Sequence, residues 1–155
     1  MENYLNNRLI TLYLFPFIIG SLTTLSFQPF NLTIINFFSL PLLFYLIIYI
    51  KKKSKSIYRK KKFKKNLFKL STSFGFGFYL SGIHWITNSL YFDESFWILI
   101  PFGLILVPLF LSLFFSIVIL IIGPFLNFNL TSLLLFSGGI AFSDYIRAKI
   151  LTGFP

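Results

Sequence analysis

Apolar residues dominate five stretches of the chain, 9–27, 34–50, 70–91, 97–122 and 129–151, and polar residues collect almost entirely between them. A bilayer's hydrocarbon core is about 30 Å thick and takes roughly 20 helical residues, so each stretch is tested against that length. The pattern predicts an all-α membrane protein, a bundle of about five transmembrane helices forming one N-terminal transmembrane domain over 1–155. The second stretch is the shortest, at the lower limit of a span. The fourth is long and carries Pro101 and Pro108, so a kink or tilt is expected there, as at Pro16 in the first.

The connections are short except for one. Gln28, Pro29, Phe30, Asn31 and Thr33 make a tight turn between the first two stretches, with Pro29 biasing Gln28 away from helix. Asp93 and Glu94 mark a second turn, flanked by Tyr91 and Trp97 as interface aromatics. Gly123 and Pro124 stop the fourth stretch. The long connection, 51–69, is a run rich in lysine.

Composition removes the soluble alternative. Only 12% of the 155 residues are charged and 56% are hydrophobic, whereas soluble domains carry about a quarter charged residues. In lipid, helices bond their own backbone groups, which isolated strands do not. The net charge of +10 belongs to one segment, because 11 of the 14 basic residues lie between Lys51 and Lys69. Short loops rich in Lys and Arg stay cytoplasmic, so 51–69 is expected to be a cytoplasmic basic loop. Counting outward, the N-terminus is cytoplasmic, the 28–33 turn and Asp93 are external, Asn127 is internal and Pro155 external. Arg147 and Lys149 oppose this only mildly.

Each candidate site has a plain reading beside it. The lysine run suits phosphates in principle. Between Lys51 and Lys65 its aromatics are Tyr58 and Phe63, however, and that is no stacking platform for bases, so topogenesis and contact with anionic lipid are expected and nucleic acid is not. Gly75 and Gly77 lie inside an apolar stretch without the strand that a dinucleotide loop needs. Gly75 and Gly82 fall near one helix face and Gly77 near another, and Gly138 and Gly139 stand together in the fifth stretch. All five are expected to let helices pack closely.

His84 is the one histidine and precedes Trp85 near the expected outer end of the third span. Alone it forms no metal site, and an interfacial role or contact with a lipid phosphate is expected of this pair. Asp144 and Arg147 are three residues apart, so they share a helix face and are expected to pair. No metal and no cofactor is expected. The chain holds no cysteine, which removes disulfides and a cysteine nucleophile within it.

Three segments, in this order, resemble the apolipoprotein N-acyltransferase family. They are Leu25-Ser26-Phe27-Gln28-Pro29-Phe30-Asn31; Gly75-Phe76-Gly77-Phe78-Tyr79-Leu80-Ser81-Gly82-Ile83-His84-Trp85-Ile86; and Asp144-Tyr145-Ile146-Arg147 followed by Leu151-Thr152-Gly153-Phe154-Pro155. The terminal Thr-Gly-Phe-Pro is the most specific piece. The family usually has Glu where this chain has Asp144, and a Trp after the Gly-Phe-Pro.

The resemblance implies a bacterial inner-membrane enzyme. It moves an acyl chain from a phospholipid donor, through a cysteine thioester, to the N-terminal S-diacylglyceryl-cysteine of an apolipoprotein. The family's Glu-Lys-Cys triad sits in a nitrilase-like catalytic domain that the resemblance places beyond these 155 residues. No catalytic residue is therefore assigned here, and this chain alone is expected to be inactive, as a truncated or split form. Its expected partners are membrane lipids, and phospholipid and apolipoprotein in the full-length enzyme. The alternative is a stand-alone, non-catalytic membrane protein that binds lipid or acts as a subunit.

Overall fold

The structure is a computed structural model that describes residues 8–54, 60–84 and 94–151. Among them there are five α-helices and no strand: α1 (Phe15–Thr23), α2 (Asn36–Lys53), α3 (Lys60–Ile83), α4 (Ile100–Ile122) and α5 (Leu130–Ile150). Helix α3 is the hub, with α1 packed along one side and α4 along another; α2 lies against α1 and α3, and α5 against α4.

Local chemistry accounts for the helix ends. A wide turn of π-helix, Ile10–Leu14, runs into α1, and Pro16 occupies the first turn of α1. Pro16 lacks an N–H, so the backbone ladder loses one donor just where the wide turn passes into α1. Pro108 is buried inside α4 and Pro41 lies inside α2. Asn31 takes a left-handed backbone (φ 53°) in the turn before α2, a conformation that asparagine tolerates better than most residues. At the start of α5 the Ser132 backbone N–H donates to Asn129 Oδ1 (2.8 Å), an N-cap that stabilises a helix by about 1 kcal/mol.

The basic segment differs from the expected loop. Helix α2 continues through Lys53, and α3 begins at Lys60, ten residues before the expected start at Leu70. Lysine is a good helix former, so a run of positive charge does not by itself end a helix. Lys51, Lys52 and Lys53 also close α2 at its C-terminal end, where the helix dipole favours cations.

The core runs down the middle of the bundle. Leu43, Leu46 and Ile47 from α2, Leu67 and Leu70 from α3, and Leu111 and Ile119 from α4 are almost wholly buried. Ring pairs Phe74–Phe115 (centroids 5.1 Å apart) and Phe44–Phe136 (5.4 Å) join α3 to α4 and α2 to α5. Hydroxyls add a few polar ties: Thr72 and Ser116 are 2.9 Å apart, Ser73 donates to the Tyr13 carbonyl (2.6 Å) and Ser21 to the Gly77 carbonyl (3.2 Å).

Alternate helices bring the connections to opposite ends. At one end Lys51 donates to the Leu126 carbonyl (2.7 Å) and to Asn127 Oδ1 (3.0 Å), and Arg8 donates to Asn66 Oδ1 (3.1 Å). At the other, Ser26 donates to Asn36 Oδ1 (2.9 Å). Two helical stretches, Thr33–Lys53 and Trp97–Phe125, are long and apolar enough to cross a membrane. The outer faces of the bundle are apolar as well: Phe37 is 77% exposed, Ile98 73% and Leu130 71%.

Candidate functional site

The small residues of α3 separate into two contacts. Gly75 faces α4, where an added Cβ would come 2.9 Å from the Ser112 Cβ. Gly77 faces α1, where an added Cβ would run into the Phe17 backbone carbonyl. Gly20 of α1 answers it from the other side, lying against the Phe74 carbonyl. With neighbouring backbones in contact, the approach depends on having no side chain on either helix. The sequence pattern did not point to Gly20, although it is the one glycine in its stretch.

The other glycines divide. Gly82 is exposed and makes only ordinary contact, 3.6 Å from Thr24 Cγ2. An added Cβ at Gly139 would lie 2.6 Å from Ile122 Cδ1, the movable end of a side chain. Gly138 has nothing within 4 Å, so the packing role expected of it is corrected: one residue of helix rotation, about 100°, turns it away from α4.

Near the end of the bundle that holds the Ser26–Asn36 contact, α5 carries its ionic pair. Arg147 Nη2 lies 3.6 Å from Asp144 Oδ1, and the two side chains differ in burial: 10% exposed for Arg147, 53% for Asp144. The guanidinium also lies over the Tyr79 ring of α3, 5.4 Å from its centroid. Thus Arg147 ties α5 to α3 while Asp144 sits at the margin. Tyr79 belongs to the motif quoted above but drew no separate attention there, since its use depends on α5 lying beside it.

Asp144 also borders a cleft of about 110 Å³, which Phe27, Asn36, Gly75, Tyr79 and Ile140 line with other aromatic rings. It is mostly apolar, with an amide, a phenol and a carboxylate at hand, and its volume lies below the roughly 300–1,000 Å³ of small-molecule sites. The chain has no cysteine, and the carboxylate beside the cleft is paired with Arg147. Among the described residues no group of three His, Asp or Glu side chains is placed to hold a metal ion.

His84 ends α3 on the surface, its Nδ1–H donating to the Ser81 carbonyl (2.9 Å) one turn back. This contact serves the end of its own helix. Trp85, Tyr91, Asp93 and the terminal Thr152 to Pro155 lie outside the described residues.

Fold and site define an all-helical bundle, drawn together by glycine contacts about α3 and carrying a polar-rimmed cleft beside an ionic pair. Comparison with known proteins places it more narrowly. A family model of the apolipoprotein N-acyltransferase N-terminal domain matches residues 19–155, and the chain belongs to that family. It is 31% identical over 141 residues to an apolipoprotein N-acyltransferase of Brucella melitensis, covering 90% of this chain and 26% of that protein. The enzymes of the same name from Brucella suis (29%) and Sinorhizobium medicae (26%) match with the same coverage of both chains. The chain thus spans about a quarter of the length of the curated relatives it matches. No solved structure gives a significant match.

Proposed function

We propose that this chain is the membrane segment of an apolipoprotein N-acyltransferase, crossing the bacterial inner membrane about five times with its N-terminus in the cytoplasm. In the complete enzyme it anchors the chemistry at the outer face. There an acyl chain passes from phospholipid to the N-terminal S-diacylglyceryl-cysteine of a lipoprotein. The family match over 19–155 carries the reading. The exposed Phe37, Ile98 and Leu130 support the membrane part, because a water-soluble monomer rarely leaves large apolar faces uncovered.

Transfer through a thioester needs a thiolate, and this chain has none. The purified chain is therefore expected to move no acyl group from phospholipid to a diacylglyceryl peptide, and not to rescue cells depleted of the acyltransferase. Fused in place of the matching quarter of the Brucella melitensis relative, the same residues are expected to restore growth. Turnover by the isolated chain overturns the division of labour. A well-expressed fusion that fails to rescue favours a stand-alone, non-catalytic membrane protein.

Orientation is tested separately. The contacts that gather Arg8, Lys51 and Asn127 at one end support a shared side for the N-terminus, the basic segment and the 123–129 turn. Because the chain lacks cysteine, Ser56→Cys and Asn31→Cys each introduce a single thiol. An impermeant thiol reagent added to intact cells is expected to label position 31 and spare position 56. The reverse pattern rules out a cytoplasmic N-terminus.

A further inference from the structure

A second cleft opens at the opposite end from Asp144. It measures about 590 Å³ and lies between α3 and α4, walled by Lys64, Phe68, Leu120, Ile121, Pro124 and Phe125. Five of these six residues are apolar and the sixth is a cation. Ile121 (63% exposed) and Phe125 (68%) are left open along it. The volume falls within the roughly 300–1,000 Å³ of small-molecule sites.

Charge and shape point to the same occupant. Lys62 and Lys65 are exposed beside Lys64 on α3, and the first turn of that helix holds no acidic residue. Like charges this close repel one another, and no acidic residue in that turn offsets them. An anion above the groove relieves this repulsion, and an apolar tail fills the walls below. We propose that this groove binds one anionic phospholipid, with the phosphate held by Lys64 and the upper part of an acyl chain lying along Phe68, Leu120 and Ile121. The inference rests on the membrane-spanning reading above. It assigns a lipid site on the cytoplasmic side, away from the face where acyl transfer is placed.

The purified chain, delipidated in detergent, is titrated with phosphatidylglycerol and, in parallel, phosphatidylcholine, and retained lipid is counted by native mass spectrometry. One tightly held phosphatidylglycerol is expected, with phosphatidylcholine held more weakly. Lys64→Gln is expected to weaken the anionic lipid about fivefold. Ile121→Trp keeps every charge and fills the groove, and is expected to weaken both lipids. Lys62→Gln, outside the groove wall, is expected to have the smaller effect.

Equal losses from Lys62→Gln and Lys64→Gln with none from Ile121→Trp would mean diffuse attraction, and the site is then wrong. Protection against thermal unfolding by inorganic phosphate alone, equal to that by the lipid, overturns it too, since the tail would contribute nothing. Resistance of the chain to extraction from cell membranes by alkaline carbonate checks the membrane reading independently. A chain that stays in the membrane but keeps no phosphatidylglycerol therefore refutes the site alone.

Discussion

Gly77→Ala is expected to be among the most damaging small substitutions in this chain. The added methyl meets the Phe17 backbone carbonyl of α1, and Gly20→Ala meets the Phe74 carbonyl of α3 from the opposite side. A side-chain neighbour can rotate away; a helix backbone moves only if the whole helix moves. Overpacking of this kind costs about 1–3 kcal/mol, and here it is applied where α1 is fastened to the hub helix.

Gly138→Ala provides the contrast, because nothing lies within 4 Å of its added methyl. Removing a glycine from a helix interior gains up to about 1 kcal/mol, so this variant is expected to be neutral or slightly more stable. Gly139→Ala should fall between, since Ile122 can change rotamer. Thermal unfolding of the four purified variants in one detergent ranks them. If Gly77→Ala and Gly138→Ala unfold at the same temperature, the contact between α1 and α3 is not as close as described.

The same glycines show what the sequence could and could not disclose. That small residues at 75, 77, 138 and 139 sit in helices follows from the apolar runs around them. Which of two adjacent glycines meets a partner depends on where the next helix lies, and Gly138 and Gly139 look alike until α4 is in place. The end of the fourth helix at Ile122 was legible, because Gly123-Pro124 is a local stop signal. The ends of α2 and α3 were not. Charge marks an aqueous end, but lysine neither forms nor breaks a helix strongly enough to say whether that end is coiled. The Asp144–Arg147 spacing predicted a shared face, while the unequal burial of the two side chains and the Tyr79 ring beneath Arg147 required the tertiary arrangement.

That inequality sets the expected outcome of a double-mutant cycle on the pair. Asp144→Ala leaves the nearly buried guanidinium of Arg147 on the Tyr79 ring without its carboxylate partner. Arg147→Ala removes both the charge partner of Asp144 and the contact that ties α5 to α3. Removing one member of a poorly solvated pair costs more than the pair itself is worth, so the double variant is expected to be milder than the sum of the singles. Asp144 is half exposed, which weakens the attraction, and a coupling of about 0.5–3 kcal/mol brackets the expectation. Arg147→Ala should be the worse single change, and Tyr79→Leu should reproduce part of its loss by removing the ring face beneath the cation. Unfolding of the purified chain in detergent measures all four corners of the cycle without any need for catalysis. Strict additivity would mean that the 3.6 Å approach contributes nothing, and that Arg147 stabilises the bundle through contacts other than Asp144, the Tyr79 ring among them.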